Sequence, residues 1–434
     1  MTYSLNSATE SVACQSAALP FPPIGKPLSE LPGDACRALL RQWNAGDTVV
    51  VIGADIAGLS AALRLGSDKD LHVVVLEDRD IRQVHSSRSL GHVLGLQVPE
   101  QVILDCCDKE RGQELISQAN SSIGLVRQVI DEHTIKCDMR DGYIEIGRDG
   151  KQTVTQGSGK FGVAPYAYVA GLATAAQQAG VSIVDRTPVI GIKPAKFGYR
   201  VQTAQGPIMA SHVVVAGGGR MARTIPALSY LRNKMAEVRW ATIITDPIPE
   251  NVLRNIMPEG TGFPFASDFG GFGSVDSENR IVFGSRLSAF GNPDPRSIER
   301  DLVKLFPALA AGYKRATGNK LQTRLLGGAQ TLSVTSSFLP YVSVGSRDNG
   351  VLHVDALGPH DIALGTMLGF AVADQIQYLG RQQSCQKAAI QVPPLAPFAS
   401  IVHGQFPTWE PLRKLVTQFG VRMARTAAAR LQQT

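Results

Sequence analysis

The sequence predicts an α/β fold in which a parallel, nucleotide-binding sheet is assembled from separated segments and interrupted by an inserted antiparallel sheet. Three observations carry that prediction. Thr48-Val49-Val50-Val51-Ile52 is an unbroken β-branched, apolar run of the kind buried on both faces of a parallel sheet. Gly53 then opens a turn into Ile56 to Leu65, a small-residue helix pattern, and His72 to Glu77 gives a second strand, so the crossover is right-handed and the pairing parallel. Far downstream, Val351 to Asp355, a Gly-Pro loop and a helix from Ile362 to Tyr378 return to the same strand-loop-helix pattern. The arrangement is of Rossmann type.

A chain of 434 residues has room for about two or three domains and a core that folds without staples. Hydrophobic residues at 44% and charged residues at 18% describe a globular chain, and the longest uncharged apolar stretch, Ile362 to Ala373, is too short to cross a bilayer. The net charge of +6 is spread over segments of mixed sign, which argues against a nucleic-acid surface. The tail from Trp409 to Thr434 is the exception, with five basic residues and one acid. Six cysteines show neither C-x-x-C spacing nor companion histidines, so no metal site is expected. Met1 to Glu10 carries no basic and apolar leader pattern, and the expectation is a cytoplasmic protein with free thiols.

In chain order, residues 1–46 are rich in Pro, Ser and Ala and read as an extended N-terminal arm. The nucleotide-binding domain is expected to combine 47–100, 155–235 and 331–385, with 101–154 and 236–330 forming a substrate domain and 386–434 a C-terminal arm. Within these, Pro99 to Thr134 has helical spacing and Pro165 to Ala179 reads as a helix. Strands are expected at Tyr143 to Ile146, Val181 to Val184, Val189 to Ile192, Tyr199 to Thr203 and His212 to Ala216. Residues 236–330 alternate like an antiparallel sheet, with turns at 276–280 and 291–295. In the tail, Leu412, Leu415, Val416, Phe419 and Met423 recur at helical spacing with arginines opposite. Such a basic amphipathic helix either packs on the body of the protein or makes weak contact with an anionic membrane surface.

The chemistry is concentrated in Gly53-Ala54-Asp55-Ile56-Ala57-Gly58 and in Glu77 beyond it. In a dinucleotide fingerprint the first glycine allows the tight turn, the second admits the pyrophosphate, the third lets helix and strand pack, and the acid holds ribose hydroxyls. Asp55 stands at the second glycine. Its carboxylate either caps the helix or faces a doubly negative ligand, and the two uses compete for the same N–H groups.

With these residues in place, the chain resembles the FAD-dependent oxidoreductases typified by D-amino-acid oxidase, and within them the gamma-glutamylputrescine oxidase-like amine oxidases. The resemblance runs from Thr48 to the C-terminus and rests on Val49 to Leu65, Val73 to Glu77, Ile130-Asp131-Glu132-His133, Pro188 to Ile192, Gly327-Gly328 with Thr335 and Leu339-Pro340, and His360 to Gly369. It implies a noncovalent FAD held by Gly53, Asp55, Ile56, Ala57, Gly58 and Asp78, with Glu77 at the adenosine ribose and the Val189 backbone at the adenine. It also implies Arg88 and Gly91 in the loop after the second strand, Gly358, Asp361 and Ile362 at the flavin, and His360 beside the isoalloxazine as the catalytic candidate.

The implied activity is oxidation of the C–N bond of a small amine or amino acid by hydride transfer to flavin N5. Several glycines of the family's flavin loops are replaced: the loop after the second strand reads Val84-His85-Ser86-Ser87-Arg88-Ser89-Leu90-Gly91-His92, and the flavin-facing loop reads Ala356-Leu357-Gly358-Pro359-His360-Asp361. Side chains where backbone should approach a ligand raise an alternative, a non-catalytic descendant that has lost the flavin and acts as a binding or partner protein.

Overall fold

The computed structural model describes residues 21–44, 47–96, 100–147, 151–155, 159–257, 265–267, 271–326, 328–343, 351–358, 361–384, 396–399, 401, 403–407, 411–418 and 420–421. Its central sheet contains β1 (Asp47–Ile52), β2 (Leu71–Leu76), β3 (Ser182–Val184), β4 (His212–Val215), β5 (Tyr341–Ser343) and β6 (Val351–Asp355), in the spatial order β5-β6-β4-β1-β2-β3. Neighbours are parallel except β5, which runs antiparallel to β6.

Successive side chains of β1 enter opposite layers. Val49 and Val51 pack with residues of α1 (Ile56–Gly66), α2 (Pro165–Gln178) and α3 (Asp361–Ser384), while Val50 and Ile52 pack with Trp43, Val213 and Val215. Both faces of the strand are therefore covered, which is why the run lacks polar alternation. Helices α1 and α3 cross in close contact: a Cβ on Gly369 would lie 2.4 Å from the Ala57 carbonyl oxygen.

The second sheet has the order 323–325, 236–245, 281–288, 271–275, 265–267, 143–146 and 152–155, and strand Gln330–Val334 pairs with Ala236–Thr245 as well. Its strands are antiparallel apart from the parallel pair Phe265–Ser267 and Tyr143–Ile146. Three helices, Glu250–Ile256, Pro295–Leu305 and Ala308–Thr317, share a core with it through Leu253, Ile298, Leu302 and Leu309.

The structure corrects several local expectations. The N-terminal arm is not extended throughout: Gly33–Trp43 is an α-helix that buries Cys36, Leu40 and Trp43, one side of consecutive turns. Pro295 begins a helix rather than ending a turn, because the Asp294 carboxylate accepts the Arg296 N–H at 3.1 Å and Pro is tolerated in a first turn. The helical stretch after Pro99 is two helices, Glu100–Cys106 and Lys109–Glu132, the second capped by the Asp108 carboxylate. In the tail, residues 411–418 are helical, but the buried side is Arg413 and Thr417, with Val421 beyond, while Leu412, Leu415 and Val416 are exposed. Among the described residues no helix is long and apolar enough to cross a membrane.

Candidate functional site

A cleft opens at the C-terminal ends of β1, β2, β4 and β6, and Thr331, Leu332 and Ser333 of the second sheet form its far wall. The first βα turn provides one lip. Gly53 adopts φ +106°, and a Cβ there would lie 2.6 Å from the Gly217 Cα at the end of β4, so close approach and left-handed backbone both demand glycine. Gly58 packs against the turn from within the helix.

Asp55 occupies the N-cap position of α1 without capping it. Its carboxylate accepts the Ser86 N–H at 2.9 Å instead, and no side chain caps the first turn of α1. The helix-cap reading of Asp55 is thereby corrected: a loop residue 31 positions away takes the carboxylate, and the positive end of the helix is left for a ligand.

Glu77 ties β2 to the same turn. Its Oε2 accepts the Ala54 N–H at 2.9 Å and its Oε1 the Arg79 N–H at 3.1 Å. Burial pushes the Glu77 carboxyl up to about 8, helped by a hydrogen bond with Asp78 and by the charge of Asp55. Against the upward push of burial, hydrogen bonds from Glu77 and Arg220 hold Asp78 below the usual carboxylate range, and Arg220 Nη2 lies 2.8 Å from Asp78 Oδ1.

On the opposite side, Asp355 ends β6 and Asp361 begins α3. Both line the cleft, and both are buried. Burial, countered by the Ala356 N–H and supplemented by Asp55, raises Asp355 to about 7; burial also raises Asp361 to about 6, with His85 pulling down and Asp55 pushing up. Between them Ala356 holds φ +56°, a left-handed conformation unusual for a residue with a Cβ, and Gly358 follows at φ +59°.

Of the residues singled out from the sequence, Asp55, Ala57, Glu77, Gly358 and Asp361 line the cleft together. Gly53, Ile56, Gly58 and Ile362 lie in the backbone or core immediately behind, and Asp78 reaches the cleft through Arg220. Val189 is buried at the start of strand Val189–Pro194, two residues past Thr187, whose N–H donates to the Glu77 carbonyl. Gly91 does not line the cleft: its backbone, at φ +76°, is locked against Val163. Arg88 is partly buried beside it, and its carbonyl accepts from Gln330 Nε2 at 3.0 Å. His360 lies outside the described residues. The sequence reading passed over Arg79, Arg220, Ser333 and Asp355; for Arg220 the signal was present in Gly217-Gly218-Gly219 at the end of β4.

The donor set suits a dinucleotide. An uncapped helix N-terminus, the open backbone of Gly218 and Gly358, and the guanidinium groups of Arg79 and Arg220 supply the N–H groups and positive charge a pyrophosphate needs, and Glu77 lines the same cleft at the end of β2. The same walls carry four acids, Asp55, Glu77, Asp355 and Asp361. Among the described residues no group of His, Cys, Asp and Glu is arranged to hold a metal ion.

Comparison with known proteins agrees with this geometry. The family model described as FAD dependent oxidoreductase matches residues 48–159 and 157–375. Gamma-glutamylputrescine oxidoreductase of Escherichia coli (strain K12) is 21% identical over 413 residues, covering 86% of this chain and 90% of that protein. Among solved structures, glycine oxidase from Geobacillus kaustophilus superposes with a TM-score of 0.61 at 17% identity, over 82% of this chain and 98% of its own. L-proline dehydrogenase from P. horikoshii does so with a TM-score of 0.58 at 17% identity, over 77% and 94%. With the matched region spanning both the cleft and the sheet that walls it, the chain belongs to the D-amino-acid oxidase family of FAD-dependent oxidoreductases.

Proposed function

We propose that the protein oxidises the C–N bond of a small amine or amino acid, the hydride passing to N5 of a noncovalently bound FAD and the resulting imine being hydrolysed by water. The observation that carries this reading is the family match across residues 48–375, which takes in the nucleotide cleft and the antiparallel sheet facing it. Gamma-glutamylputrescine oxidoreductase, to which the chain is similar over most of its length, is named for a putrescine derivative, which supports the substrate class.

The roles proposed for this chain's residues follow from the cleft. The first turn of α1 and Arg220 would hold the pyrophosphate, Glu77 braces the turn and would lie nearest the ribose, and Ala356 to Gly358 with the start of α3 would present backbone to the flavin, while the catalytic role proposed for His360 rests on the sequence resemblance alone. Thr331 to Ser333 shield the ligand from water on the far side. Purified protein mixed anaerobically with a panel of amines and amino acids tests the reading. Bleaching of the oxidised-flavin absorption by some members of the panel is expected. A bound flavin that dithionite reduces but no amine or amino acid does would overturn it.

A further inference from the structure

We propose that Asp355 and Asp361 meet the FAD as neutral carboxyl groups that donate hydrogen bonds to it, so that the cofactor is taken up together with protons. This rests on FAD being the ligand of the cleft. The two side chains are 7% and 4% exposed and line the same cleft from either end of the loop between β6 and α3. Asp355 Oδ1 accepts the Ala356 N–H at 2.7 Å, whereas Asp355 Oδ2 and Asp361 Oδ2 have no hydrogen-bond partner among the described residues. A buried, bare carboxylate oxygen is costly, and a neutral carboxyl needs an acceptor for its proton. Phosphate and carbonyl oxygens of a dinucleotide are such acceptors.

The surrounding charges point the same way. Asp55 on the first βα turn faces both groups and disfavours their ionisation; His85 and Ser86, on the loop after β2, favour ionisation of Asp361; Tyr341 of β5 is paired with Asp355 of β6. Across the cleft stand Glu77 with Asp78, Arg79 and Arg220, and Arg88 lies near Asp55. Four acids against the guanidinium groups of Arg79 and Arg220 would leave the walls net negative if all were ionised, and a pyrophosphate would be repelled. Protons on Asp355 and Asp361 remove that excess. Burial already places their titration near neutrality, at about 7 and about 6, and a dianion bound beside them draws the protons back.

The test is FAD binding to the flavin-depleted full-length protein, followed by quenching of flavin fluorescence between pH 6 and pH 8 and by calorimetry in two buffers of different ionisation enthalpy. Affinity is expected to fall about a hundredfold or more from pH 6 to pH 8, with roughly two protons taken up per FAD near pH 7.5. Asp355→Asn with Asp361→Asn, which mimics the neutral acids, should bind as tightly at pH 8 as the unaltered protein does at pH 6, without proton uptake. Binding that is equally tight across the range and takes up no protons overturns the proposal and leaves FAD as the ligand. Uptake that persists in the double variant overturns it too, since the protons then go elsewhere, to Glu77 or His85. Failure to bind FAD at any pH removes the cofactor assignment itself and this proposal with it. If the double variant does not fold, the proton count of the unaltered protein decides.

Discussion

The Asp55 carboxylate accepts the Ser86 N–H at 2.9 Å and so joins the first βα turn to the loop that follows β2, across 31 positions of sequence. The bond turns an acid that would crowd a pyrophosphate into a brace for the loop, although its charge stays in the cleft. Two substitutions separate these effects. Asp55→Asn keeps an acceptor oxygen for Ser86 and removes the charge, so stability should be nearly unchanged while FAD binds about fivefold more tightly, as expected for relieving roughly 1 kcal/mol of screened repulsion. Asp55→Gly loses the bond and should cost about 1–2 kcal/mol of stability. Urea unfolding and flavin titration of both variants check this; equal stability losses would show that the bond to Ser86 contributes nothing.

Ala356 holds a left-handed backbone at φ +56° within the cleft wall. A residue with a Cβ is strained there by about 1 kcal/mol, against which its buried methyl is a small gain. Ala356→Gly should therefore leave stability unchanged or raise it by up to about 1 kcal/mol, the reverse of the usual glycine penalty. Ala356→Val, β-branched at positive φ, should cost about 2 kcal/mol. Thermal unfolding of the pair is the check, and a valine variant as stable as the glycine variant would contradict the strain.

The two halves of the site differ in how legible they are from sequence. The run from Thr48 to Glu77 is readable because its determinants are local: a period, a turn and an acid at a fixed distance. Asp355 and Ser333 are not, because what makes them cleft residues is which strand ends are brought together, and β6 comes beside β4 only after more than a hundred intervening residues. The burial of Asp355 depends further on the antiparallel pairing of Tyr341 with it, which no local pattern announces. Asp55 shows the limit at a single residue, since the same N-cap position serves a cap or a loop tether according to where Ser86 lies. The helix Gly33–Trp43 was hidden by surrounding prolines, although Cys36, Leu40 and Trp43 already carried its period.

Packing of α1 on α3 makes a separate prediction. A Cβ on Gly369 would sit 2.4 Å from the Ala57 carbonyl oxygen and 2.8 Å from the Ser60 Cβ, contacts that backbone must move to relieve. Gly369→Ala should cost about 2–3 kcal/mol despite the better helix propensity of alanine, and should weaken FAD retention by displacing the N-terminus of α1. Gly124→Ala is the control. It lies on the exposed side of helix Lys109–Glu132 with nothing within 4 Å of its would-be Cβ, and should stabilise the protein by about 0.5–1 kcal/mol. Thermal unfolding that moves in the same direction for both variants would rule out the close crossing.

The acids of the cleft also set how stability depends on pH when no ligand is bound. Burial raises the carboxyls of Glu77 to about 8, Asp355 to about 7 and Asp361 to about 6, all above an unfolded value near 4. A raised folded pKa gives stability that is fully present below the unfolded pKa and is lost as pH rises through the folded one, so these groups weaken the fold progressively from about pH 4 to pH 8. The buried histidines act in the opposite sense: burial lowers His92 and His353 to about 4, and their contribution is fully present above about 6.5 and lost as pH falls toward 4. Over the acidic range the two trends oppose each other, and above about 6.5 the carboxyl loss stands alone. Asp355→Asn removes one share of it. The variant should match the unaltered protein at pH 4 and exceed it by about 2–4 kcal/mol at pH 8, the gain growing between pH 4 and pH 7 and then levelling off. Denaturant unfolding of the flavin-free proteins at several pH values measures this, and a gain of equal size at pH 4 and pH 8 would mean that Asp355 is not ionising within the folded cleft.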